Sequence, residues 1–296
     1  MPINKQYRKQ IEQITLDNEA NANKDMKEVY KEQKKSLDAI EVMLGALFIK
    51  YSVKGFLKMT QKEKNSTGYK TLLTSIGKDL GNSEVKIMTD ILINSYKDTY
   101  YKQAFLLDDG LKIDLKFNIL KDEFIQSAIN QKFEGDMFSD RIWKHKAELI
   151  DKLKDGLENT MKGNTTIDKV AQNLKKSFNT TAYQSQLLVN NEMAKLQSQA
   201  SIEIAINTGI KKHQWSATLD TSTEPEDGAL DGETFDIDDS SAPTIPLHVG
   251  CRCVWINIPY EGWKASNRKD NITKEVIDYA TYSEWAKAKG INKTKS

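Results

Sequence analysis

Residues 248–253 read His-Val-Gly-Cys-Arg-Cys. One imidazole and two thiols fall within this run, in a chain with three histidines and two cysteines in all. Imidazole and thiolate are the ligands zinc prefers, and their close spacing lets them converge in a tight turn. His248, Cys251 and Cys253 are therefore candidate zinc ligands. Zinc takes four protein ligands, or three and a water. His213 and carboxylates such as Asp220, Glu224 or Asp227 are candidates for the fourth position. The alternative is plain packing, with the cysteines as small buried residues and His248 as a hydrogen-bonded turn residue. A cysteine nucleophile suits the pattern less well, because nothing else in the chain marks an oxyanion hole. No glycine-rich phosphate loop is present. Nine acids between Asp220 and Asp239, with no Lys or Arg among them, lack calcium-loop spacing and read as a solvated loop.

Two strands must position these residues. His213, Trp215, Ala217 and Leu219 alternate with polar neighbours, a period of two. The run from Cys251 to Ile258 alternates as well, and the two strands are expected to pair. Upstream, the period is helical. Leu37, Ile40, Leu44, Leu47, Phe48 and Tyr51 line one face of a helix expected over about 5–60. Residues 62–70 have loop composition, and Gly77 and Gly81-Asn82 read as breaks. A helical face restarts at Val85 and runs to about Leu106, with Asp108-Asp109-Gly110 as a turn. Leu111, Ile113, Leu115 and Phe117 alternate, which predicts a short strand. Further helices are expected over about 120–131, from a Ser139 cap to Gly163, from a Thr165 or Thr166 cap to Phe178, and over 182–207. Asn179-Thr180-Thr181 is expected to separate the last two.

The fold class is thus mainly α: a long-helix body followed by a small α+β C-terminal module. The expected organisation is a helical N-terminal region over 1–110, a helical middle segment over 111–209, and the module over 210–296. With 39% hydrophobic residues the chain can build a core. A net charge of +1 gives no global pull toward nucleic acid or anionic membrane. Any DNA contact would come from the lysine-rich stretch after Lys264. Two cysteines one residue apart do not make a disulfide framework, which suits a reducing compartment. No stretch approaches the ~18 apolar residues of a membrane span, and the first residues carry no secretory signal.

Several short motifs together resemble the phage head-morphogenesis family, the minor head proteins related to the F protein of phage Mu. They are Trp215-x-x-Thr-Leu-Asp220, then Leu-Asp231-Gly232-x-x-Phe, then Pro246-x-His248-x-x-Cys251-Arg252-Cys253. The family's ending is usually Pro-x-His-Pro-Asn-Cys-Arg-Cys; Val249-Gly250 stand here in place of Pro-Asn. The segment from Gly135 to Trp143 looks like the family's middle portion. Glu192 matches an acid that usually follows Arg-Thr, where this chain has Asn190-Asn191. The resemblance covers roughly 117–259. It implies a tailed-phage virion component with no catalytic activity, associating with the portal and with capsid or scaffold proteins in the capsid interior after assembly in the host cytoplasm. It also implies help in DNA packaging or ejection, and no membrane partner during assembly. A DNA-binding ejection protein and a zinc module of unknown activity, enzymatic or not, are the other functions the residues admit.

Overall fold

The computed structural model describes residues 6–111 and 120–291. In chain order the elements are α1 (Tyr7–Tyr51), β1 (Ser52–Val53), β2 (Phe56–Lys58), α2 (Gln61–Ser66), α3 (Tyr69–Leu111), α4 (Asp122–Ile129), α5 (Phe138–Met161), β3 (Lys162–Thr166) and α6 (Ile167–Thr208). There follow β4 (Lys212–Ser216), α7 (Pro225–Leu230), β5 (Thr234–Asp236), β6 (Val254–Asn257), β7 (Asn267–Lys269), β8 (Val276–Asp278) and α8 (Tyr282–Ala288). The protein is mainly helical, with small sheets of two or three strands. Of the strand expected from Leu111 to Phe117, Leu111 ends α3, and the rest lies outside the described residues.

Packing divides the chain into two units; three of the boundaries fall inside α1, α3 and α6, and the fourth follows α4. One unit holds Met1–Ala22, Ile91–Ile129 and Asn190–Ser296; the other holds Asn23–Asp90 and Asn130–Val189. Each of α1, α3 and α6 contributes one stretch to each unit. A helix that packs along its whole length can serve two cores, so three of the divisions fall within helices.

In the second unit, the faces of α1, α3, α5 and α6 close a core that includes Ile40, Leu44, Leu73, Leu80, Leu153, Leu157 and Leu174. Four expectations change here. The first helix ends at Tyr51, and a hairpin follows. Lys54 (φ 51°) and Gly55 (φ 80°) form its two-residue turn, and β2 then pairs with β3. Both central residues need positive φ, the geometry that matches strand twist. Next, Gly77 and Gly81 lie inside a continuous α3. A Cβ at Gly77 would sit 2.7 Å from Ile150 Cγ1, and one at Gly81 would sit 2.2 Å from the Trp143 ring. These glycines let α5 approach the α3 backbone and do not interrupt the helix. Finally, α6 runs unbroken through Asn179-Thr180-Thr181. The Thr180 and Thr181 hydroxyls donate to the Lys176 and Ser177 carbonyls one turn back (3.0 and 3.1 Å), so they satisfy themselves without leaving the helix. The α5 cap also differs. Met137 occupies that position, and its N–H donates to the Asp140 carboxylate at 3.2 Å.

In the first unit, Tyr7, Ile11 and Ile14 of α1 are buried, as are Tyr96, Tyr100 and Leu107 of α3 and Leu196, Ala200 and Ile204 of α6. Amide and hydroxyl groups join these helices: Asn18 donates to Thr99 at 3.0 Å, Gln197 to Ser95 at 3.1 Å and Gln103 to Ser201 at 2.6 Å. The two expected strands do pair, antiparallel, with Trp215 opposite Trp255, and β5 adds to the other edge of β4 to give the order β5-β4-β6. The β7-β8 hairpin and α8 complete the unit. A Thr281–Glu284 capping box opens α8, and its Tyr282 and Trp285 cluster with Leu219.

The glycine account makes a prediction of opposite signs. Gly77→Ala is expected to destabilise by ~1–2 kcal/mol, because overpacking against Ile150 outweighs the gain in helix propensity. Gly156→Ala in α5 meets nothing within 4 Å and is expected to stabilise by ~0.5–1 kcal/mol. Denaturant midpoints of the two variants check both.

Candidate functional site

Burial alternates along the Cys-Arg-Cys run that leads into β6. Cys251 and Cys253 point inward, each 3% exposed, and Arg252 points to the other side. Cys251 N–H donates to the His248 carbonyl at 3.1 Å, which closes the preceding turn and brings the imidazole back over the thiols. From the other direction comes α7. Its first-turn residue Asp227, 3% exposed, takes His248 Nε2 at 2.8 Å on one oxygen and the Cys251 thiol at 3.6 Å on the other. Asp227, His248 and Cys251 thus each present one ligand atom within 4.8 Å of the others, a possible metal-binding triad. Cys253 adjoins the triad, its thiol in hydrogen-bond contact with Cys251 and Asp227.

Protonation follows from these contacts. Burial alone would depress His248, but the hydrogen bonds to Asp227 and to the Val249 carbonyl outweigh it and raise its pKa. The thiol–thiol hydrogen bond holds Cys251 down to about 7 against its burial. The same bond, with burial, pushes Cys253 up.

The other residues singled out by sequence sit elsewhere. His213 lies in β4 with its ring stacked flat on Trp255, centroids 3.7 Å apart, and is 2% exposed. Burial pushes its pKa down to about 4. Asp220 receives both terminal nitrogens of Arg252, one at 2.8 Å, on the side away from the thiols. Trp215 is fully buried and meets Trp255 edge-on. Glu192 is buried in α6 beside Lys195 and pairs with it.

Asp231 and Gly232 form the hub that holds the module. Asp231, at the C-terminal cap of α7, has a fully buried carboxylate. It accepts the N–H groups of Ala217 (2.8 Å) and Tyr282 (2.6 Å) and the Arg268 guanidinium (2.6 Å). Arg268, 1% exposed, also donates to the Ala217 and Ala280 carbonyls. Arg8 of α1, equally buried, stands 3.8 Å from Asp231 and donates to Ser216 and Gln214. Gly232 turns the chain with φ 93° and donates its N–H to the Trp215 carbonyl, a conformation a side chain would strain. Sequence reasoning did not single out Arg8 or Arg268. Arg268 falls in the basic stretch after Lys264, and nothing local distinguishes it from its neighbours.

Residues 151–256 match the family model described as Phage Mu protein F like protein. That segment contains Asp227, Asp231, His248, Cys251 and Cys253. Over 86% of this chain and 89% of the other, the sequence is 24% identical to minor head protein GP7 of Bacillus phage SPP1. It is also 26% identical to a protein of Enterococcus faecalis named NAD(+)–arginine ADP-ribosyltransferase EFV; that match covers 63% of this chain and spans only 41% of the Enterococcus protein's length. No solved structure matches. A long-helix body carrying a small sheet module of Mu F type therefore defines the class. Within it, these similarities support kinship with the phage minor head proteins.

Two outcomes follow from the site. Asp231→Asn leaves two buried guanidinium groups facing a neutral partner and is expected to cost about 3–5 kcal/mol, read from denaturant unfolding. His213 is held neutral in the fold, so the unfolded chain accepts a proton that the folded chain refuses. Its contribution is complete above pH 6.5 and declines as the pH falls toward about 4. The loss reaches roughly 3 kcal/mol at the lower end. His213→Phe should flatten that part of the stability–pH curve relative to the parent protein.

Proposed function

We propose that this protein is a structural and interaction component of the phage head, assembling with the portal and with capsid or scaffold proteins in the capsid interior and assisting DNA packaging or ejection. The observation that carries the reading is the similarity to a minor head protein over most of both chains. Assembly would take place in the host cytoplasm. Among the described residues, no helix is long and apolar enough to cross a membrane.

The site supports a non-catalytic role. A cysteine nucleophile needs its thiol directed at a base and open to substrate. The Cys251 thiol is buried and donates to the Asp227 carboxylate, and the imidazole contacts that same carboxylate. DNA contact through the basic C-terminal stretch is narrowed by two engagements. Arg268 is buried on Asp231, and Lys289 pairs with Asp270 at 3.0 Å. A second reading, that the C-terminal module holds a zinc ion, is favoured by the Asp227–His248–Cys251 cluster.

Sedimentation of procapsids assembled with portal, scaffold and this protein tests the first reading. The protein is expected in the procapsid fraction, and to leave it when the portal is omitted. Recovery only at the top of the gradient, with portal and capsid assembled, overturns the assembly role.

A further inference from the structure

The geometry points to a closed, structural zinc site with four protein ligands: Asp227, His248, Cys251 and Cys253. This assignment rests on the reading that the module holds a metal, and it adds the complete ligand set and the site's purpose.

Ligand atoms at 2.0–2.3 Å from a tetrahedral zinc ion stand roughly 3.3–3.8 Å from one another. The Cys251 sulfur and an Asp227 oxygen are already 3.6 Å apart. His248 Nε2 and the other Asp227 oxygen are 2.8 Å apart, so an ion would spread that pair by about half an ångström. Cys253 supplies the fourth ligand. Its thiol stands outside the three-residue cluster but is in hydrogen-bond contact with Cys251 and Asp227, so an ion would draw it in beside them. The fourth ligand is therefore neither His213, which stacks on Trp255, nor Asp220, which is bound to Arg252.

The surroundings fit a metal-ligating histidine. His248 Nδ1 donates to the Val249 carbonyl at 3.1 Å. That bond leaves Nε2 facing the cluster, the tautomer in which an imidazole ligates a metal while its other nitrogen is anchored. Two thiolates and an imidazole select zinc over the hard cations calcium and magnesium, which take oxygen ligands. With four protein ligands there is no open position for water or substrate, so the ion has a structural role. The four ligands come from α7, from the turn before Cys251 and from the strand leading into β6. An ion would tie these three segments together where the sheet has only three short strands.

The test uses the full chain, freed of metal with a chelator and then titrated with Co²⁺. One equivalent should bind with the intense visible bands of a tetrahedral site and a thiolate-to-cobalt absorption of two-thiolate strength, and Zn²⁺ should abolish both. Cys253→Ser is expected to halve the thiolate band. Asp227→Asn is expected to weaken binding on the order of tenfold or more. His213→Phe and Asp220→Asn should leave the spectrum unchanged. The unsubstituted chain counts its own thiolates, so the assignment stays testable if a variant does not fold. Binding with a one-thiolate or octahedral spectrum overturns this ligand set and leaves a metal at the module. Less than about 0.1 equivalent bound by folded protein overturns the metal reading as well.

Discussion

A fully buried carboxylate holds the first unit's C-terminal module together. Asp231 has no water to solvate it, so its charge must be matched inside the protein. Two backbone N–H groups and the Arg268 guanidinium do so directly. Arg8 adds a second guanidinium nearby, and Glu12 takes its Nε at 3.1 Å, which restores the balance of charge. Five separate stretches are drawn to one point: the start of α1, the residues after β4, the end of α7, β7 and the start of α8. The ionic hub also demands a unique arrangement, because any other leaves a charge unpaired in the interior.

The hub sets the candidate metal site through a short lever. Asp227 and Asp231 lie at opposite ends of α7, one helical turn apart. Anchoring Asp231 therefore places Asp227 against His248 and the two thiols. Packing adds to this constraint, since Gly228 between them faces the Tyr282 ring so closely that a Cβ would stand 2.3 Å from it. On the other side of the strand, Arg252 grips Asp220. The Cys-Arg-Cys run is held from both faces, by charge on one and by thiol, imidazole and carboxylate contacts on the other.

The helical units meet a different demand. Long helices that pack along their whole length must accommodate polar groups without breaking. The threonine hydroxyls of α6 bond back to their own helix, and the amides of α1, α3 and α6 bond across to hydroxyls on neighbouring helices. Glu84 and Lys146, both buried, pair at 2.5 Å in the second unit. Such buried polar contacts favour one helix register over its neighbours.

Periodicity alone determined the mainly helical class, the switch from helix to strand after Gly209, and the pairing of the strands that carry Trp215 and Trp255. These follow from local alternation of apolar and polar side chains, and that is printed in the order of residues. The closeness of His248 to Cys251 was legible for the same reason, because a short turn brings near neighbours together. Tertiary structure alone decided the rest. Gly77 and Gly81 read as breaks until α5 is seen lying against them, and Thr180-Thr181 reads as a break until the hydroxyls find their own carbonyls. Arg8 and Arg268 look like any other surface cation, and Asp227 like one of nine acids in a loop. Burial selects among chemically identical residues, and burial depends on what stands opposite in space, often 200 positions away, which no local pattern encodes.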